Sequence, residues 1–136
     1  MTKNINYYSS LIFLSNICLA LYYKNIVYAL LFFLLTITSV VYHSNYTYDT
    51  YVIDKIMCIL IVLYGGYIYY CKCLTDNKYL LSKITIFLSF IYVIYLYYFG
   101  YYNNKYCFDK NKKNQMKWHA LLHLVSSFGH NLIIYI

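Results

Sequence analysis

The sequence of 136 residues has no proline, no arginine and no glutamate, and it has only four glycines. Its charged residues are eleven lysines and four aspartates, which together make up 11% of the chain, against about 25% in an ordinary soluble domain. The lack of proline and glycine excludes collagen-like and Pro/Gly-rich disordered chains. Since 62% of the residues are hydrophobic, the composition also excludes an ordinary soluble domain.

The charge and the cysteines exclude two further classes of protein. A net charge of +7 would favour nucleic-acid binding if the lysines clustered on a soluble face. Most of them instead flank apolar runs, as expected for anchors at a membrane edge, so we predict no nucleic-acid partner. Five cysteines, an odd number in a chain with few long loops, do not indicate a disulfide framework.

Five apolar stretches are each long enough to cross a bilayer as a helix, which takes roughly 20 residues. Runs of this length do not match barrel strands, and a lone strand in lipid would leave backbone groups unpaired. The sequence therefore predicts an all-α, polytopic transmembrane helix bundle and an integral, multi-pass membrane protein, with residues 1–136 as one domain. The predicted spans are 7–23, 26–43, 51–71, 79–101 and 118–136.

The first run has a second interpretation, because Cys18-Leu19-Ala20 loosely resembles the cleavage site of a signal peptide. A single lysine in front of the run favours a retained span. With five spans, the side that holds the N-terminus, here called face A, also receives the joint 44–50 and the loop 103–117. Seven of the eleven lysines lie at or near face A, so the positive-inside rule places the N-terminus in the cytosol.

Several polar residues interrupt the predicted spans, where an ionisable group costs about 2.5 to 3.5 kcal/mol at the helix centre. Ser39 and His43 lie four residues apart on one face of the second run, and Asp54 lies one turn into the third. His119 and His123 are also four apart, in the first turns of the last run. Since all three runs have these residues near face A, the five side chains are predicted at one membrane depth.

These residue types together can form a hydrolytic metal site. Three imidazoles from two helices, His43, His119 and His123, supply the three-nitrogen ligand set that catalytic zinc uses, with a fourth position open for water. Asp54 can orient that water and accept its proton, and Ser39 can donate a hydrogen bond to a developing oxyanion.

The order Ser39-x3-His43, then Asp54, then His119-x3-His123 resembles the CREST superfamily of membrane proteins, which includes alkaline ceramidases, progestin/adipoQ receptors, GPI-remodelling phospholipases and myomaker-like proteins. The resemblance covers about half of the chain. It implies that the three histidines bind Zn²⁺, that Ser39 and Asp54 lie beside the metal water, and that the substrate is a ceramide-like lipid or an acyl phospholipid.

The chain departs from this family in length. The family has seven helices, and the segment between Asp54 and His119 has room for two fewer. Because five and seven are both odd, the last helix still enters from face A. The missing helices would form part of the wall of the lipid cavity, so a homodimer or a partner protein is the expected replacement.

Each of these residues also has a structural interpretation, and three functions therefore stay open. His43 can cap a helix end, and the His119 and His123 pair can be a metal-free polar stripe. Asp54 can be the snorkelling partner of Lys55 or a water-exposed acid in the first turn, and Ser39 can be a small residue that allows close helix packing. The first of the three functions is a zinc-dependent lipid amidase or esterase. The second is a non-catalytic receptor-like or membrane-remodelling protein whose helices are held together by zinc, and the third is a structural membrane protein without metal. His130 is interpreted as a packing residue, and the lysine-rich segment 105–117 either attracts anionic headgroups or is a solvated loop.

Overall fold

The structure, a computed structural model, describes residues 5–75 and 78–136, and this part of the chain is helical without a β-strand. The helices are α1 (Ile5–Ser10), α2 (Phe13–Tyr22), α3 (Ile26–Ser44), α4 (Tyr48–Thr75), α5 (Leu80–Ile94), α6 (Gly100–Asn103) and α7 (Lys112–Tyr135). A π-helical turn, Tyr95–Phe99, joins α5 to α6, and a 3-10 turn, Tyr106–Phe108, lies between α6 and α7.

Four helical segments of the described chain are long and apolar enough to cross a membrane, and they confirm a multi-pass helical membrane protein. They correspond to the first four predicted spans. Their ends lie within three residues of the predicted ends, except that the fourth segment continues through the 3-10 turn to Phe108, seven residues beyond its predicted end. The segments are Ile5–Tyr22, Ile26–Ser44, Tyr48–Leu74 and Leu80–Phe108.

Polar residues in the joints set where the helices begin. Asn25 precedes α3, and its side-chain oxygen accepts a hydrogen bond from the backbone N–H of Tyr28 at 3.2 Å. Before α4, the Thr47 hydroxyl accepts from the N–H of Thr50 in the same way. Asn111 caps α7 through the N–H of Lys113. These side chains satisfy N–H groups that have no partner within the helix.

The last helix, α7, lies at the centre of the bundle, although it is not among the four most apolar segments. It packs against α1, α2, α4 and α5. Its 24 residues would extend about 36 Å, enough to cross a hydrocarbon core of about 30 Å. A helix enclosed by other helices can carry a polar face, because that face contacts protein and not lipid. The fifth span thus stays a prediction that length and packing support.

Hydrogen bonds between polar side chains join α2 to α7 in the interior. The Asn16 amide, fully buried, donates to the Ser127 carbonyl at 2.9 Å and to Asn131 Oδ1 at 2.8 Å, and the Ser127 hydroxyl donates back to Asn16 Oδ1 at 2.6 Å. At the end of the bundle opposite the histidines, the Lys72 ammonium donates to the Ile133 carbonyl at 2.8 Å and so caps the C-terminus of α7. These bonds fix α7 relative to α2 and α4.

Gly65 allows α4 to approach a buried pair formed by Tyr28 and His130. The Tyr28 hydroxyl hydrogen-bonds to His130 Nδ1. A Cβ atom added at Gly65 would lie 2.6 Å from both His130 Cε1 and the Tyr28 hydroxyl, whereas one added at Gly66 would meet no atom within 4 Å. Gly65 is therefore the close-packing position, and His130 has a hydrogen-bonded place in the interior.

This contrast gives a matched pair of variants for stability. We expect Gly65→Ala to lower the free energy of unfolding by about 1 to 3 kcal/mol, the usual range for overpacking a core. Gly66→Ala should leave it unchanged or raise it slightly, because alanine favours the helix. Thermal unfolding of both variants in detergent micelles measures the difference, and equal behaviour of the two would contradict the close contact at Gly65.

Candidate metal centre

Three histidine rings from two helices meet at the end of the bundle that corresponds to face A. His43 lies in the last turn of α3, and His119 and His123 lie on successive turns of α7. The ring centroids are 5.0 Å apart for His43 and His119, 5.4 Å for His43 and His123, and 4.7 Å for His119 and His123. One nitrogen of each ring lies within 4.8 Å of the other two.

The cluster fits a three-nitrogen metal site in donor type and in separation. Nitrogens around a tetrahedral zinc ion are roughly 3.3 Å apart, so each ring needs to move inward by less than about one ångström to share an ion. In the described part of the chain, His43 Nε2 is buried and has no hydrogen-bond partner. Buried polar atoms are rarely left in this state, and a metal ion would satisfy this one.

Ser9 of α1 determines which nitrogen of His123 is available. The Ser9 hydroxyl donates its proton to the Asn6 carbonyl at 3.0 Å, and its oxygen lies 2.9 Å from His123 Nδ1. Because the hydroxyl proton is already used, His123 Nδ1–H must be the donor of the second bond. The lone pair of the neutral ring is then on Nε2, the state in which a histidine binds a metal through that atom.

Ser39 and Asp54 lie together next to the histidine cluster. Both are buried, with 2% and 3% of their surface exposed. The Ser39 hydroxyl is 2.9 Å from that of Ser10 and faces the Asp54 carboxylate. Asp54 Oδ2 lies 3.7 Å from Lys55 Nζ, and Asp54 Oδ1 has no hydrogen-bond partner among the described residues. Since Ser39 precedes His43 by one helical turn, about 6 Å along the axis, the pair lies one turn deeper than the His43 ring.

The structure thus places the five sequence-predicted residues in two adjacent groups. The three histidines form one group, as predicted. Ser39 and Asp54 form the other, and no hydrogen bond joins either of them to a histidine within the residues 5–75 and 78–136. Prediction from the sequence missed Ser9 and Ser10, whose only signal is a polar pair in an apolar run; their partners lie in distant helices, which the sequence does not reveal.

A cavity of about 640 Å³ lies beside the histidines and reaches two of them, His43 and His119. Its wall also contains residues from α4, from the π-helical turn and from the first turns of α7. Exposed residues such as Tyr46 and Lys112 line it, so it communicates with the surface at this end of the bundle. A molecule in the cavity would therefore contact the histidine cluster directly.

Comparisons with protein-family models, with curated proteins and with solved structures found no match for this chain.

Proposed function

We propose that the protein is a zinc-dependent intramembrane hydrolase that cleaves the amide or ester bond of a lipid. The observation that carries this proposal is the convergence of three imidazole nitrogens, from two different helices, beside a cavity that opens at the end of a membrane bundle and is lined by two of the three histidines. His43, His119 and His123 would hold the metal. When bound to three such ligands, zinc supplies an activated water at neutral pH.

The other residues of the site provide proton transfer and charge stabilisation. Asp54 accepts a proton of the attacking water at Oδ1, the buried oxygen that has no partner in the described chain, and returns it to the leaving amine or alcohol when the C–N or C–O bond breaks. Ser39 donates a hydrogen bond to the oxyanion that develops on the carbonyl oxygen, after its hydroxyl turns from Ser10. Lys55, next to Asp54, keeps positive charge near the developing negative charge.

The lipid would enter through the cavity from the headgroup region. Its scissile carbonyl would lie against His43 and His119, the two metal-site residues in the cavity wall. Acyl chains would extend along the apolar outer surface of the bundle, where α5 buries few of its side chains. A second copy of the chain or a partner protein would cover this outer surface, in place of the two additional helices of the seven-helix family pattern.

Metal content and turnover of the purified protein test the proposal. We expect about one zinc per chain, measured by atomic emission after purification in detergent, and release of fatty acid from ceramide or from an acyl phospholipid. A chelator should abolish turnover, and added zinc should restore it. Bound zinc without hydrolysis of any acyl lipid would support the non-catalytic alternative, and a chain that binds no zinc would support a structural protein without metal.

Ser9 supplies a further prediction about the same site. Ser9→Ala removes the acceptor that holds His123 Nδ1–H, so we expect zinc affinity to fall by about 10- to 100-fold, the usual effect of losing an outer-shell partner. Ser89→Ala is the matched control, because Ser89 is also half-buried and donates to the carbonyl three residues earlier. Competition with a chromophoric chelator measures both affinities. Equal affinities would show that Ser9 does not position the ring.

A further inference from the structure

The charged side chains in the wall of the cavity are both positive. Lys55 and Lys112 line it, and among its lining residues in the described chain there is no aspartate. The remaining polar groups of the wall include the hydroxyls of four tyrosines and the amide of Gln115, which are neutral groups that can donate hydrogen bonds. A wall with two cations and several neutral donors is suited to an anion.

Lys55 is held in place by its surroundings. Its ammonium nitrogen lies 5.3 to 5.9 Å from the ring centroids of Tyr42, Tyr51 and Tyr97, all of which also line the cavity. Its ion pair with Asp54, at 3.7 Å, is longer than a hydrogen bond, so its N–H donors stay available to a ligand. The rings fix the position of the charge, and only about a quarter of the side chain is exposed, which keeps the charge poorly screened.

Lys112, in α7, supplies the second positive charge of the cavity wall. It is the first residue of α7, where unpaired backbone N–H groups and the helix dipole also favour negative charge. His119, two turns further along α7, lies in the same cavity wall. An anion between Lys55 and Lys112 would therefore be close to the histidine cluster without occupying it.

We propose that this cavity binds the phosphate of a lipid headgroup, and that the substrate is an anionic acyl phospholipid and not a neutral ceramide. This inference rests on the proposed function, because it names the substrate class of the same site. Lys55 and Lys112 hold the phosphate at the cavity wall, and this contact orients the acyl carbonyl toward His43 and His119. A ceramide headgroup carries no charge, so it would leave Lys112 without an anionic partner and Lys55 with Asp54 alone.

Binding to metal-free protein tests the inference separately from hydrolysis. The full chain in detergent, stripped of metal with a chelator, is titrated calorimetrically with dioctanoyl phosphatidic acid, dioctanoylglycerol, a short-chain ceramide and inorganic phosphate. We expect phosphatidic acid to bind at least about tenfold more tightly than either neutral lipid, because only its phosphate forms charge-assisted hydrogen bonds. Inorganic phosphate should bind more weakly than phosphatidic acid, since it has no acyl chains.

A matched pair of lysine variants identifies the site. Lys112→Gln should weaken binding of phosphatidic acid by about tenfold, whereas Lys113→Gln, an exposed neighbour outside the cavity wall, should leave it unchanged. Lys55→Gln should weaken it as well, and the thermal unfolding of each variant shows whether the fold is kept. Binding of the neutral lipids should not respond to any of the three variants.

The inference is overturned by equal affinity for phosphatidic acid and dioctanoylglycerol, or by equal effects of Lys112→Gln and Lys113→Gln. Inorganic phosphate that binds as tightly as phosphatidic acid would assign the cavity to free phosphate and overturn the lipid substrate. Tight, lysine-dependent binding of phosphatidic acid by a protein that takes up no zinc would overturn the hydrolase proposal and support the phosphate site. Zinc-dependent hydrolysis of ceramide without phosphate binding would overturn the phosphate site and support the hydrolase proposal.

Discussion

Replacing Asp54 with asparagine is expected to lower the rate of lipid hydrolysis by about 10²- to 10⁴-fold, the usual contribution of a general base, while zinc stays bound. Asparagine has nearly the same shape as aspartate but cannot accept a proton from water at neutral pH. The proposed metal ligands are three histidines on other helices, so the metal content should not change. Initial rates with a short-chain acyl lipid and zinc content measured on the same preparation check both statements.

The control for Asp54 is Asp49→Asn. Asp49 also belongs to α4, but it is exposed in the first turn, whereas Asp54 is buried beside Ser39 and Lys55. Asp49→Asn removes the same charge from the same helix and should keep the wild-type rate. A wild-type rate in Asp54→Asn with zinc bound would remove Asp54 from the proposed chemistry, and loss of zinc in this variant would make its role structural.

Replacing His123 with alanine should have the second large effect, the loss of bound zinc and of hydrolysis together. Two ligands, His43 and His119, would remain, and zinc sites in proteins use at least three. We expect zinc affinity to fall by more than the roughly 10- to 100-fold effect of losing an outer-shell partner. Phe13 packs against the His123 ring at 5.2 Å between centroids, so part of the effect will be on stability.

His130→Gln separates these two effects. His130 belongs to the same helix, two turns from His123, and its hydrogen bond with Tyr28 lies in the interior. This variant should lower thermal stability but keep about one zinc per chain. If His123→Ala keeps its zinc, or if His130→Gln loses zinc while folded, the assignment of the metal to His43, His119 and His123 is wrong.

The helices were predictable because lipid imposes a strong and local rule. A chain without charges over roughly 20 residues has to satisfy its backbone within a helix, so apolar runs and polar joints mark the spans directly. Polar joint residues such as Asn25 and Asn111 then mark the helix starts. Hydropathy alone predicts the last helix as a span less clearly, because its polar face makes it the least apolar of the long segments. Its central position in the bundle explains that polar face.

The meeting of the histidines was also predictable, although for a different reason. With an odd number of spans, parity brings the end of the second span and the start of the last to the same face, and a spacing of four residues places His119 and His123 on one side of a helix. The sequence did not reveal that Ser39 lies beside Asp54 and Ser10, without a hydrogen bond to the rings in the described chain.

What the sequence by itself determined is therefore the helical membrane class and the approximate positions of the first four spans, because each depends on neighbours within one or two helical turns. Only the tertiary structure decided that Ser9 contacts His123, that Gly65 admits His130, and that Lys55 and Lys112 share a cavity. These contacts join residues far apart in the chain, and they depend on how each helix is rotated and packed against the others, which hydropathy and spacing along a single helix do not specify.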